Sequence, residues 1–135
     1  MLFKRGRITS YGNELPQPAG AGSGTVENIA VTAISADANY TFTVADMSGG
    51  AVQFTGFTAG RNLTTPTAAL ILASATDMDI GDSFTLYVSI TTAFAGTYVA
   101  GAGVTLAGRA TTPASSWSVV VVKKLSATTV EWRVL

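Results

Sequence analysis

From Thr25 onward, short runs of alternating apolar and polar residues recur at about ten-residue spacing, broken by Gly, Asn, Asp and Pro. Period-two alternation sends successive side chains to opposite faces of a sheet, so the pattern predicts a sandwich or barrel of short strands. Asn39 to Val44 reads as one strand, with Tyr40, Phe42 and Val44 on a common face. Ser83 to Thr91 reads as another, with Phe84, Leu86, Val88 and Ile90 inward and Tyr87 on the opposite face, a candidate interface residue. Further strands are expected at Ile29 to Ala33, Ala51 to Phe57, Thr97 to Ala100, Val104 to Leu106, Trp117 to Lys123 and Thr128 to Val134. The last two form a hairpin turning at Leu125-Ser126-Ala127. Val119 to Val122 is β-branched on both faces, which predicts core on one side and a neighbouring subunit or an N-terminal arm on the other. A short helix is expected over Ala68 to Ser74, with Thr65 as its cap and Pro66 at the first helical position.

Residues 1 to 25 follow a different pattern. Three cations precede the first anion, Glu14, and Leu15-Pro16-Gln17-Pro18 then leads into Ala19-Gly20-Ala21-Gly22-Ser23-Gly24. The prolines favour an extended chain and the Gly/Ala/Ser run a pliant one, so residues 1–25 read as an arm and 26–135 as the domain. Such an arm is either a tether onto a neighbouring subunit or a frayed terminus, and Phe3, Ile8 and Tyr11, interleaved with Lys4, Arg5 and Arg7, favour the tether.

Composition changes the picture in one respect: the surface has little charge. Apolar residues make up 47% of the chain and charged residues 12%, so Thr, Ser, Ala and Gly must cover much of the outside. Eight basic and eight acidic residues cancel, which weakens repulsion between copies and argues against a nucleic-acid-binding field. The basic start is not followed by an apolar signal-peptide core, and the longest apolar stretch, Ala68 to Ala73, falls far short of the ~18 residues of a membrane span. With no cysteine, disulfides and thiolate metal sites are excluded, and synthesis in the cytosol is favoured.

Candidate chemistry is sparse. The absence of histidine removes the commonest general base and a common metal ligand. Serine nucleophiles would then need a lysine base, and Lys4, Lys123 and Lys124 lie in the arm and at a strand end. Asp77, Asp79 and Asp82 crowd one short segment without the glycine and glutamate positions of a calcium loop, and read as a solvated turn before Ser83. Gly101-Ala102-Gly103-Val104-Thr105-Leu106-Ala107-Gly108 lacks the lysine of a phosphate-binding loop and reads as turn and strand. Trp117, Trp132, Tyr98 and Tyr11 either stack on sugars or pack in a core or interface, and Arg61, Arg109 and Arg133 either pair with a partner's acids or sit on the rim. No enzyme activity, cofactor or metal is expected.

The second half carries a resemblance. Pro66-Thr67-Ala68-Ala69-Leu70-Ile71, then Ile80-Gly81-Asp82-Ser83-Phe84 and a strand, then Gly101 to Gly108, then a valine-rich strand and a terminal hairpin follow one another in an order and spacing that resembles the head decoration, or cement, proteins of tailed bacteriophages. The likeness covers residues 40 to 135. It implies an all-β, jelly-roll-like β-sandwich with an extended N-terminal arm and one short helix. It also implies a homotrimer on the capsid exterior, made in the host cytoplasm, that stabilises the icosahedral shell.

The implied partners are the major capsid protein and further copies of the chain, with no nucleic acid, membrane or small-molecule substrate. Phe3, Lys4, Arg5, Arg7, Ile8 and Tyr11 become the expected capsid-binding arm, and Tyr87, Val120, Val122 and Trp132 the expected trimer or subunit interface. Similar sequences also occur in tail and fibre proteins, which leaves a receptor-binding module for host-surface glycans as the alternative.

Overall fold

The structure, a computed structural model, describes residues 29–135. Ten strands and two short helices follow in the order β1 (Ala30–Ile34), β2 (Tyr40–Thr41), α1 (Val44–Gly49), β3 (Gly50–Phe54), β4 (Arg61–Thr64), α2 (Ala68–Ser74), β5 (Ser83–Ile90), β6 (Gly96–Val99), β7 (Val104–Gly108), β8 (Thr111–Thr112), β9 (Ser116–Lys124) and β10 (Val130–Val134). They form two sheets. The larger has the order β1-β3-β5-β9-β10-β7 and the smaller β2-β4-β6-β8.

The expected β-rich domain is present, but the pairing is mixed. β9 runs antiparallel to β5 and β10, and β6 antiparallel to β8. The pairs β1–β3, β3–β5, β10–β7, β2–β4 and β4–β6 are parallel. A jelly roll built from antiparallel Greek keys has a different ladder. Parallel neighbours need a crossover between them, which here passes through the helices, turns and short strands that link one sheet to the other.

The core lies between the sheets. Phe54 and Trp132 from the large sheet, Tyr40 and Tyr98 from the small one, and Phe42 beyond β2 form a linked aromatic cluster, with Phe42 to Trp132 at 5.4 Å, Tyr40 to Phe54 at 5.3 Å and Tyr98 to Trp132 at 6.4 Å between ring centroids. Tilted and edge-on contacts at these distances are the favoured aromatic geometry. A buried chain of hydroxyls ties the layers as well: Tyr98 Oη lies 2.7 Å from Thr112 Oγ1, which donates to Ser118 Oγ at 3.0 Å. Burial pushes the Tyr98 phenol up to about 12, so it stays neutral and keeps its proton for that chain. Gly96 lies where a Cβ would stand 2.5 Å from Leu63 Cδ1 and 3.1 Å from Ile90 Cδ1, so glycine permits close seating of β6 over the core.

Three local readings differ from the sequence expectation. The strand expected over Asn39 to Val44 stops at Thr41, because Thr43 opens a second helix that was not anticipated. Thr43 Oγ1 accepts from the Asp46 N–H at 3.2 Å and Asp46 Oδ2 accepts from the Thr43 N–H at 2.8 Å, a reciprocal cap written in the sequence as Thr43-Val44-Ala45-Asp46. Tyr40 Oη also donates to Asp46 at 2.7 Å, and burial together with that carboxylate holds the phenol well above its usual range.

Helix α2 has the expected bounds, but its cap is Thr67, whose hydroxyl accepts from the Leu70 N–H. Thr65 is not free to cap: its N–H donates to Val99 O and its buried hydroxyl accepts from the Gly101 N–H at 2.9 Å, which keeps it in the β4–β6 ladder. Strands β4 and β8 were not anticipated either. Both are short and rich in Thr and Asn, with weak apolar alternation.

Candidate functional site

The large sheet has one face against the core and one face outward, and strand register identifies which side chains meet outside. Facing partners Val31, Ala51, Tyr87 and Val119 run across β1, β3, β5 and β9. The Leu135 N–H donates to Val119 O at 2.9 Å, which continues the row past the end of β10. The next row is Ala33, Gln53, Ser89 and Trp117. Val31 is 60% exposed, Leu135 56%, Trp117 61% and Tyr87 37%. The rings of Tyr87 and Trp117 meet diagonally at 6.3 Å. The row leaves a band of partly exposed apolar side chains across four of the six strands, and contiguous exposed apolar patches are the kind of surface at which proteins in general make contacts.

Register also supplies a polar end to this face. Val121 faces Thr85 and Arg133, and Lys123 faces Ser83 and Glu131. Arg133 Nε and Nη2 each donate to Glu131 at 3.2 Å. The face therefore runs from aromatic and aliphatic at the Trp117 end to charged at the Lys123 end.

The expected interface residues divide between the two sides of the sheet. Tyr87 lies on the outer face. Val120, Val122 and Trp132 do not: each is 0% exposed and faces the core. Val120 pairs with Leu86 and Val134, and Val122 with Phe84 and Trp132, so the inward row of β5 carries these residues inward with it. A side chain so placed cannot touch another subunit while the domain is folded. The outward valines are Val119 and Val121, half-buried by their neighbours. Trp117, expected to be a sugar platform or a packing residue, is the most exposed aromatic side chain on this face. The arm residues Phe3, Lys4, Arg5, Arg7, Ile8 and Tyr11 lie outside the described residues.

Elsewhere the polar groups hold the fold together. The Asp77 to Asp82 turn is fastened to β9: the Gly81 N–H donates to Lys124 O, the Lys124 N–H to Asp82 O, and Lys124 Nζ to Met78 O at 2.9 Å. Asp79 N–H donates to Asp82 Oδ2 at 3.0 Å, the local bonding for which aspartate is favoured in turns. Among the described residues no group of three or more His, Cys, Asp or Glu side chains could hold a metal ion, and no helix is long and apolar enough to cross a membrane.

Asp37 ties the loop before β2 to β4. It accepts from the Thr58 hydroxyl, from the Thr58 N–H at 2.9 Å and from Arg61 at 2.7 Å. The Thr58 bonds first, and the guanidinium after them, lower its carboxyl to about 2. Arg61 is thereby used within the domain, while Arg133 lies on the outer face.

Comparison with family models, with curated proteins and with solved structures returns no match.

Proposed function

We propose that this chain is a structural assembly protein that docks on a protein partner through the outer face of its six-stranded sheet. The observation that carries the reading is the row Val31–Ala51–Tyr87–Val119–Leu135, an apolar band that runs from edge strand β1 to Leu135 and includes the well-exposed Val31 and Leu135 and the partly exposed Tyr87. Removing such a band from water stabilises a complex by roughly 25 cal/mol for each Å² of apolar surface buried.

The resemblance of the second half to phage head decoration proteins supplies the partner in this reading: the major capsid protein of a tailed phage, which the chain decorates and stabilises from outside as a homotrimer. The two stacked layers then play the part of the family's jelly-roll-like sandwich, with parallel pairs replacing part of its antiparallel ladder. The low charge of the chain, zero net over 135 residues, suits contact between copies. A protein that binds the assembled shell and not its separated subunits stabilises the shell by mass action, and three arms on one body raise the effective concentration of each further contact.

The test is native mass by light scattering, followed by co-sedimentation with bare phage heads. A species of about three times the 13.8 kDa chain that pellets with the heads supports the proposal. A monomer at every concentration that stays in the supernatant overturns it. Deleting residues 1–24 should leave the domain folded and abolish binding to heads, and undiminished binding by the truncated chain would remove the arm from the mechanism.

A further inference from the structure

At the Trp117 end of the outer face the surface sinks into an open depression of about 320 Å³, whose lining includes Gln53, Ser89, Thr91, Ser115 and Trp117. We propose that this depression is a binding subsite for a neutral saccharide, with the Trp117 indole as its platform and the Gln53 amide and Ser89 hydroxyl as its directional partners.

The argument starts from register. Gln53 on β3, Ser89 on β5 and Trp117 on β9 are facing partners in one cross-strand row. Neighbouring strands are ~4.8 Å apart, so the row spans about 10 Å, the length of two linked pyranose rings. A pyranose has an apolar face of C–H groups and a rim of hydroxyls. An indole at 61% exposure offers the first a flat apolar surface, and an amide and a hydroxyl beside it offer the second both donors and acceptors. The Tyr87 ring stands beside the indole, 6.3 Å away at 49°, and extends the aromatic surface.

Ser115, which lines the depression, belongs to a turn held in an uncommon conformation. Ser115 has a φ of 50°, the one positive value at a non-glycine position among the described residues. Its N–H donates to Thr92 O at 2.8 Å and its hydroxyl to the same oxygen at 3.2 Å, which fixes the turn beside Trp117. Sparsely populated backbone conformations kept in place by surrounding bonds gather at ligand sites.

Charge decides the class of sugar. No lining side chain is ionisable. The outer-face cations lie further along: Arg133 faces Val121, four residues or about 13 Å along β9, and is bonded to Glu131, while Lys123 sits six residues along, about 20 Å away. A sialylated, sulfated or phosphorylated glycan would find no counter-charge in the depression, whereas a neutral hexose oligomer leaves no charge unpaired.

The inference goes beyond the capsid reading and does not depend on it, because it concerns the isolated chain. The experiment is a glycan array carrying neutral, sialylated and sulfated oligosaccharides, probed with the full chain and with three variants. Wild type is expected to retain neutral members and not acidic ones. Trp117→Ala should weaken that binding at least tenfold, Gln53→Ala by about tenfold, and Thr97→Ala, on the other sheet, not measurably. Trp132 is the remaining tryptophan in Trp117→Ala, and its buried emission verifies that the variant is folded. Retention of acidic members alone, no retention of any neutral member at millimolar concentration, or wild-type binding by folded Trp117→Ala each overturns the proposal.

Discussion

The two sheets present very different outer faces. On the small sheet the outward rows are Asn62–Thr97–Thr111 and Thr41–Thr64–Val99, threonines and an asparagine with one valine. On the large sheet they include Val31–Ala51–Tyr87–Val119 and Ala33–Gln53–Ser89–Trp117, with Thr85–Val121–Arg133 and Ser83–Lys123–Glu131 toward the polar end. Threonine keeps the β-branched shape that suits a strand and places a hydroxyl toward water, so the small sheet is finished as a solvent-facing surface. Valine, tyrosine and tryptophan have the same strand preference without that compatibility with water. A chain with 12% charged residues has little to spare for surface: it uses threonine on one side, and on the other keeps its charges to the Lys123 end and leaves the Trp117 end largely apolar. That difference is the reason the proposed docking surface is assigned to the large sheet.

That contrast can be tested most severely with the two tryptophans. Trp132 and Trp117 belong to the same sheet but opposite faces. Trp132→Ala should cost about 3–5 kcal/mol in chemical denaturation, because it empties the centre of the aromatic core. Trp117→Ala should stay within roughly 0.5 kcal/mol. Equal losses would mean that the outer face is already covered within the domain.

A smaller loss is expected where the two layers are tied together. Thr112→Val keeps the side-chain shape, removes the bridge between Tyr98 and Ser118, and should cost about 1–3 kcal/mol because two buried hydroxyls lose a partner. Thermal unfolding with a Tyr98→Phe, Thr112→Val, Ser118→Ala triple variant sharpens the result: removal of all the hydroxyls should recover part of the loss.

Charge on the two outer faces separates association from stability. Val119→Lys should alter folding by no more than about 1 kcal/mol and abolish the higher native mass in light scattering. Thr97→Lys on the small sheet should change neither. Loss of association in both variants would remove the distinction between the faces.

The smallest effect concerns Asp37. Its folded value of about 2 lies below the ordinary 3.8, so the contribution of its bonds to Thr58 and Arg61 is complete above the ordinary value and lost as pH falls toward 2. The gap in melting temperature between wild type and Asp37→Asn should therefore be constant from neutral pH down to about 4 and close below it. Because the carboxylate is exposed, the gap should be small.

Much of the large sheet was legible in advance. Ser83 to Ile90 alternates so cleanly that Phe84, Leu86, Val88 and Ile90 were assigned inward and Tyr87 outward, and all have those positions. The terminal hairpin was visible in its turn, where the Leu125 N–H donates to Thr129 O. The Trp132 position was also written there. Val130-Glu131-Trp132-Arg133-Val134 alternates with charges on the opposite face, a signal that outweighs the general liking of tryptophan for interfaces.

The valine run of β9 is a different case. Val119 to Val122 has no contrast between its faces, so no period-two reading could say which pair points inward. The candidate site depends on that choice, and on Gln53, Ser89 and Trp117 coming together from three strands distant in sequence.

What the amino-acid order determined by itself is local: which segments alternate, where Thr and Asp cap a short helix, where glycine turns the chain, and that charge is scarce. Apart from the terminal hairpin, which strands become neighbours was decided only by the tertiary structure, parallel pairs such as β3 with β5 included. Inward and outward are properties of a single strand's period, but a shared face is a property of register between strands. Register is set by the burial of the whole core at once, and it is what aligns Val31, Ala51, Tyr87 and Val119 into one apolar band.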